Sequence, residues 1–151
     1  TPKQLHQHFD FYEPLTVHES SLSPCVHSIL AAKLGRMGQA YQFYLQTSRL
    51  DLDDYNQEVH EGLHITSMAG TWMSIVEGFG GMRIQNDMLS FSPQIPKQWE
   101  AYSFKVNFRA HVVKVNVTHF QTTFELEGSK ALDIIVNDHP ITISPKILVA
   151  V

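Results

Sequence analysis

The chain has 151 residues, of which 43% are hydrophobic and 17% are charged, and its formal net charge at pH 7 is −4. This composition is typical of one folded domain or two small ones, and it excludes an intrinsically disordered chain. The slightly negative charge gives no reason to expect nucleic acid or an anionic membrane as a partner, and no apolar run is long enough to cross a bilayer.

The chain contains a single cysteine, Cys25, and begins with Thr1 rather than Met. One cysteine excludes an internal disulfide framework and is typical of a reducing compartment, so we expect a cytoplasmic protein. The missing initiator methionine predicts either proteolytic processing or a fragment of a longer polypeptide.

Residues 1–81 carry apolar side chains at helical spacing. Ser23 and Pro24 are good residues for a helix start, and Gly35 can end that helix. A second helix follows from Met37 to Ser48, so the two should form an αα-hairpin. Residues 13–18 should be extended, because proline disfavours helical backbone in the residue before it.

A third helix is expected from about Ala69 to Phe79, with Thr66 or Ser67 as its N-cap and Trp72 among its inward-facing residues. Three helices alone would leave apolar faces uncovered. We therefore interpret residues 1–81 as the last helices of a larger helical domain.

After Gly81 the apolar pattern changes to alternation, which predicts β-strands, and Asn86-Asp87 is a plausible hairpin turn. About eight short strands at regular spacing are typical of an antiparallel β-sandwich over residues 82–151. The predicted strands are Met82–Gln85, Met88–Phe91, Tyr102–Arg109, His111–Thr118, Phe120–Glu127, Leu132–Val136, Ile141–Ile143 and Ile147–Val149. The fold class is therefore α+β, in two parts.

The stretch from His60 to Trp72 concentrates histidine, carboxylate and hydroxyl side chains, and it fits two chemistries. His60-Glu61-x-x-His64 matches a zinc-hydrolase pattern in which both histidines share one face of a helix. Gly62 lies inside the motif, however, and the helix signals begin only after it. We therefore keep the zinc hydrolase as the weaker alternative.

A calcium loop at Asp51, Asp53 and Asn56 is disfavoured, because Tyr55 and Asn56 stand where such a loop needs a ligand and then glycine. We expect no metal and no other cofactor.

The second chemistry is anion binding at helix N-termini, where unpaired N–H groups and a partial positive charge are available. Thr66 and Ser67 would add hydroxyl groups, and His64 can donate or carry charge. Residues 18–24 form a similar serine- and histidine-bearing helix start, and the two together would make a cradle for phosphate. The alternative is that Ser23 and Ser67 only cap their helices.

Several segments resemble glycoside hydrolase family 65, the disaccharide-phosphorylase family. The resemblance covers most of the chain to about Arg109 and rests on Tyr12-Glu13-Pro14-Leu15-Thr16, His18-Glu19-Ser20-Ser21-Leu22-Ser23-Pro24-Cys25, Leu50-Asp51-Leu52-Asp53-Asp54-Tyr55-Asn56, Gly62-Leu63-His64-Ile65-Thr66-Ser67-Met68-Ala69-Gly70-Thr71-Trp72, Val76-Glu77-Gly78-Phe79-Gly80-Gly81-Met82-Arg83, Pro96-Lys97-Gln98-Trp99 and Tyr102-Ser103-Phe104. It implies that residues 1–81 are the last helices of an (α/α)₆ barrel and residues 82–151 a jelly-roll-like sandwich.

The resemblance also implies inverting phosphorolysis, in which phosphate and an α-linked disaccharide give β-glucose 1-phosphate and glucose. Phosphate is then a co-substrate rather than a cofactor. His64 and a serine of the Ser20-Ser21 pair match the family's phosphate contacts, and the helix-start argument adds Thr66 and Ser67. Glu19 stands where the family pattern leads us to expect aspartate.

The family's general-acid glutamate and its Lys-Gln phosphate pair are expected upstream of Thr1. We therefore predict that this chain alone is inactive. Its expected partners are the remainder of the polypeptide, the disaccharide, phosphate and a second copy in a homodimer. Maltose is the expected disaccharide, with trehalose or kojibiose as alternatives.

Overall fold

The computed structural model describes residues 1–18, 20–145 and 147–151, which divide into two compact units, Thr1–Gly78 and Phe79–Val151. The first unit is helical and the second is built from strands. The predicted α+β class, with a few helices followed by a β-sandwich, is therefore confirmed. That the helices belong to an (α/α)₆ barrel stays a prediction.

Five α-helices are found among the described residues: α1 (Pro2–Tyr12), α2 (Ser23–Lys33), α3 (Met37–Ser48), α4 (Leu50–Asp53) and α5 (Ile65–Met73). Two short 3₁₀ segments, Glu13–Leu15 and Val59–Glu61, lie between them, and a π-helical segment, Ser74–Phe79, continues α5.

The predicted αα-hairpin is confirmed. Helices α2 and α3 are joined by three residues that include Gly35, whose φ of +72° favours glycine. The hydroxyl of Ser28 donates to the Ala40 carbonyl at 2.9 Å, so a buried polar group on α2 is satisfied by α3.

Two predictions near the first helices were wrong. Residues Glu13–Leu15 are 3₁₀-helical rather than extended, because Pro14 stands in the first turn, where its missing N–H leaves no bond unmade. Helix α2 has Leu22 rather than Ser23 at its N-cap and no side-chain capping bond there. The Ser23 hydroxyl instead bonds with Nδ1 of His18 at 2.9 Å.

Helix α5 also begins earlier than predicted. It starts at Ile65 instead of Ala69, and its N-cap is His64, whose carbonyl accepts from the N–H groups of Ser67 and Met68. The prediction that Trp72 faces inward was wrong as well, because its side chain is 49% exposed.

Eight strands are found in the described part of the second unit, in two four-stranded sheets with the orders β1-β2-β6-β7 and β3-β4-β5-β8. The strands are β1 (Arg83–Gln85), β2 (Met88–Phe91), β3 (Ala101–Phe108), β4 (His111–Thr118), β5 (Thr122–Glu127), β6 (Leu132–Val136), β7 (His139–Ile143) and β8 (Val149–Ala150). All pairs are antiparallel except β2 with β6, where Ser90 lies opposite Ile135 in a parallel register.

Side chains alternate between core and solvent along the strands. On β4, Val113, Val115 and Val117 are buried, and Phe91 and Phe124, from different sheets, place their rings 5.4 Å apart. The predicted turn at Asn86-Asp87 is confirmed, since it joins β1 to β2 with positive φ at both residues, as a two-residue hairpin requires.

Within the described ranges, no helix combines the length and the apolar character that crossing a membrane requires. The cytoplasmic location stays a prediction.

Candidate anion-binding site

The starts of α2 and α5 lie side by side. The hydroxyl oxygen of Ser21, just before α2, is 2.8 Å from that of Thr66 in the first turn of α5, although the residues are 45 positions apart. Both helices have more than two turns, so each start carries a partial positive charge. Packing thus brings together the two helix starts that the sequence predicted to cooperate.

A pocket of about 250 Å³ opens next to this contact. Its lining is rich in hydroxyl, amide and imidazole groups, which can donate hydrogen bonds to an anion. The lining residues are His18, Ser20, Ser21, Pro24, Gln46, Thr47, Leu50, Tyr55, Asn56 and Ser67.

A larger cavity, of about 620 Å³, lies in the second unit but does not fit an anion. Its described lining consists of apolar side chains, a glycine and two carboxylates, which would repel a negative ligand: Glu125, Leu126, Glu127, Gly128, Pro145, Ile147 and Leu148.

Ser67 differs from the other predicted site residues because its donors are already used. It is buried, its hydroxyl donates to the Thr47 carbonyl at 2.6 Å, and its N–H donates to the His64 carbonyl at 2.9 Å. Ser67 therefore fixes α5 against α3 and has no donor left for phosphate. We do not retain it as a phosphate ligand.

His64 is held at the start of α5 by Asp51 of α4. The two carboxylate oxygens of Asp51 accept from Nδ1 of His64 at 2.6 Å and from its backbone N–H at 2.9 Å. The hydrogen bond with Asp51 raises the pKa of His64 above its ordinary value, and the same bond lowers the pKa of Asp51. The pair therefore favours an imidazolium beside the two helix starts.

Glu58 approaches the other imidazole nitrogen of His64. Its Oε2 lies 3.5 Å from Nε2 of His64 and accepts from the Asn56 side-chain amide at 3.4 Å. Asn56 also lines the pocket, so Glu58 and His64 lie next to the pocket although neither lines it.

His18 lines the pocket in an aromatic cluster. Its ring lies 4.7 Å from that of His27 and 5.0 Å from that of Phe43. Burial, with the charge of His27, lowers the pKa of His18 and so favours the neutral ring. Nδ1 bonds with Ser23, while Nε2 is buried without a partner among the described residues.

The geometry required by the zinc motif is absent from this stretch. His60 lies on the 3₁₀ segment Val59–Glu61, Gly62 has a φ of +124°, and His64 is the N-cap of the next helix. The two histidines therefore do not share one helix face. The part of the chain that the structure describes contains no group of three or more His, Cys, Asp or Glu side chains arranged to hold a metal ion.

The three residues of the disfavoured calcium loop bind three different partners. Asp51 binds His64, Asp53 forms an ion pair with Arg49 at 2.6 Å, and Asn56 donates to Glu58.

Models of known families match both units of the chain. Residues 1–73 match the glycosyl hydrolase family 65 central catalytic domain, and residues 82–143 match the family 65 C-terminal domain. The chain belongs to glycoside hydrolase family 65. The helix starts and His64 fall within the part matched by the central catalytic domain.

Individual relatives within family 65 are similar over most of this chain. The maltose phosphorylase of Bacillus subtilis is 49% identical over 95% of the chain, and the α,α-trehalose phosphorylase of Thermoanaerobacter brockii is 43% identical over 93% of it. A solved structure titled putative kojibiose phosphorylase from human microbiome covers the whole chain with a TM-score of 0.93 and 41% identity.

The chain spans about a fifth of the length of these relatives: 19% of the first, 18% of the second and 22% of the solved structure.

Sequence reasoning placed Ser20, Ser21, His64 and Thr66 near one site but missed the residues that organise it. The sequence could have indicated Asp51 and Asn56, since both lie in a segment that resembles family 65. It could not have indicated Glu58, because only the fold brings the Glu58 carboxylate to His64. Glu19, which departs from the family pattern, lies outside the described residues.

Proposed function

We propose that this chain contributes part of the phosphate-binding site of a family 65 disaccharide phosphorylase, with maltose as the disaccharide. The observation that carries the proposal is the 2.8 Å contact between Ser21 and Thr66, which joins two helix starts at a pocket rich in hydrogen-bond donors. The family membership and the similarity to a maltose phosphorylase support it.

In inverting phosphorolysis, phosphate attacks the anomeric carbon from the position that activated water takes in an inverting hydrolase. The enzyme must therefore hold a doubly charged oxyanion at a defined position. The hydroxyl of Ser20 and one hydroxyl of the Ser21–Thr66 pair would donate to its oxygens, since the hydrogen bond between Ser21 and Thr66 uses the other proton. The helix starts and the His64 imidazolium would supply positive potential.

His18 and Asn56 would add neutral contacts at the pocket wall. The unpartnered Nε2 of His18 can donate to an oxygen when Nδ1 accepts from Ser23. A neutral ring at this position adds a hydrogen bond without adding charge.

Maltose is proposed over trehalose and kojibiose because the chain is 49% identical to the maltose phosphorylase, against 43% to the trehalose phosphorylase and 41% to the structure titled putative kojibiose phosphorylase. The complete protein that contains this chain should form β-glucose 1-phosphate from maltose and phosphate. If the complete protein forms this product from trehalose or kojibiose but not from maltose, the proposed disaccharide is wrong. The proposed phosphate site is not affected by that result. We also propose that the remainder of the polypeptide completes the site and that the complete protein forms a homodimer.

The phosphate proposal is tested by calorimetric titration of the complete protein that contains this chain with inorganic phosphate, because the remainder of the polypeptide is proposed to complete the site. Ser21→Ala should weaken phosphate binding about tenfold, because it removes a hydrogen bond to a charged ligand. Ser129→Ala, an exposed serine in the second unit, is the matched control and should leave the affinity unchanged. Equal affinities for all three proteins, or no binding to any of them, would contradict the proposal.

A further inference from the structure

The imidazole of His64 is enclosed by two carboxylates that differ in how firmly they are held. Asp51 is 15% exposed and makes two hydrogen bonds to His64, at 2.6 and 2.9 Å. Glu58 is 43% exposed and reaches Nε2 only at 3.5 Å. Asp51 is therefore a fixed support, whereas Glu58 makes a long contact that solvent weakens.

Nε2 is the only nitrogen of His64 that an external anion can use, because Asp51 occupies Nδ1 and the backbone N–H. In this structure Glu58 lies at that nitrogen, and the Asn56 amide, which also lines the pocket, donates to the same Glu58 oxygen at 3.4 Å. One carboxylate oxygen thus lies beside two donors next to the pocket.

Electrostatics explains why a second carboxylate lies here. A positive imidazolium at a helix N-terminus is opposed by the helix dipole, so it needs negative charge nearby. Asp51 supplies one charge in every state. Glu58 supplies a second, which becomes a like charge to any anion that arrives at Nε2.

We propose that Glu58 is an internal competitor of phosphate. Its carboxylate contacts Nε2 of His64 before phosphate arrives and must move away when phosphate binds. The inference rests on the proposed phosphate function. It makes Glu58 a residue that weakens phosphate binding and tunes it to high phosphate concentrations, while Asp51 strengthens binding by orienting the ring.

The test compares the phosphate affinity of the complete protein that contains this chain with that of its Glu58→Gln variant, which keeps the size of the side chain and removes its charge. The variant should bind inorganic phosphate about fivefold more tightly, the effect of removing one charge about 4 Å away in water. Glu61→Gln is the matched control: it removes the same charge three residues along, where the carboxylate lies 3.9 Å from exposed His60 and not at His64. Its affinity should match that of the parent.

A second readout separates competition from a change in folding. In ¹H–¹³C spectra the pKa of the His64 ring should fall in Glu58→Gln and stay unchanged in Glu61→Gln, since Glu58 contributes to raising that pKa. With saturating phosphate, the parent and Glu58→Gln should show the same His64 ring shifts.

The outcomes distinguish the two proposals. If the parent binds phosphate and Glu58→Gln binds it equally or more weakly, the competitor inference is overturned and the phosphate site stands. If neither protein binds phosphate, the proposed function fails and the inference fails with it.

Discussion

Asp51 determines the state of His64 at the scale of single residues. One of its oxygens accepts from Nδ1 of the ring and the other accepts from the backbone N–H of His64. Because the pKa of His64 is raised above 6.5, the stability from this pair is fully present below pH 6.5 and is lost as the pH rises through the raised pKa. Because the pKa of Asp51 is lowered below 3.8, the stability that ionised Asp51 contributes is present above pH 3.8 and is lost as the pH falls through the lowered pKa.

We therefore predict that Asp51→Asn destabilises the chain more at pH 5.5 than at pH 8.5, measured as the free energy of unfolding in urea. Asp53→Asn is the control, because Asp53 pairs with Arg49, which stays charged throughout this range. The loss of unfolding free energy in Asp53→Asn should be similar at the two pH values. Equal costs for Asp51→Asn at both pH values would contradict the assignment of a charged His64–Asp51 pair.

Residue types alone indicated which side chains could bind an anion, but not which of them had donors left. Ser67 and Thr66 are neighbours of similar chemistry. The fold buries Ser67 against the Thr47 carbonyl and leaves Thr66 beside Ser21. Such differences depend on contacts between residues far apart in the sequence, so local pattern could not predict them.

At the scale of elements, α5 packs closely against α2 and α3 at Gly70. A Cβ atom there would lie 2.9 Å from Cβ of Cys25 and 3.2 Å from Cγ2 of Thr47, closer than side chains pack without moving. This contact fixes the position of α5, and with it the approach of Thr66 to Ser21.

We predict that Gly70→Ala destabilises the chain by about 1–3 kcal/mol through overpacking, and also weakens phosphate binding. The matched control is Gly38→Ala on α3, where a Cβ would meet nothing within 4 Å. That change should instead stabilise the chain by about 0.5 kcal/mol, because alanine favours helix over glycine. Urea unfolding of both variants measures whether the free energy of unfolding falls in Gly70→Ala and rises in Gly38→Ala.

The turn between β3 and β4 contains an unfavourable residue choice. Arg109 and Ala110 have φ values of +49° and +62°, a region that residues with a Cβ rarely adopt. Ala110→Gly should therefore stabilise the chain by about 0.5–1 kcal/mol in urea unfolding.

The control for this turn is Ala101→Gly at the exposed start of β3, which should lose a similar amount, because glycine weakens a strand. A loss of stability in Ala110→Gly would show that the turn does not need positive φ at this position.

The alternation of apolar and polar residues predicted the strands well. The residues Asn86-Asp87 predicted the first hairpin, because they suit a two-residue turn. The last strand was displaced: it is Val149–Ala150 rather than Ile147–Val149. The start of α5 was misplaced because no capping side chain marks it. His64 provides only its backbone carbonyl there.

At the scale of the whole molecule, composition and period were enough to predict helices followed by a β-sandwich. The order of the strands was not predictable, since the parallel pairing of β2 with β6 joins segments that are far apart in the sequence. The family resemblance predicted phosphate contacts that the periodicity of the chain could not.

We predict that the 151-residue chain alone forms no β-glucose 1-phosphate from maltose and phosphate, because it spans about a fifth of its relatives and the general acid is expected outside it. A coupled assay for β-glucose 1-phosphate checks this, with the complete protein as positive control. Product above background from the chain alone would show that it contains its own acid.

The phosphate site is tested most directly by titrating the complete protein, with this 151-residue segment labelled with ¹⁵N, with inorganic phosphate and following its ¹H–¹⁵N chemical shifts. We expect the largest shift changes at the two helix starts, on Ser20, Ser21, His64 and Thr66. The absence of saturable shifts at these residues, or larger shifts in the second unit, would contradict the proposed phosphate site.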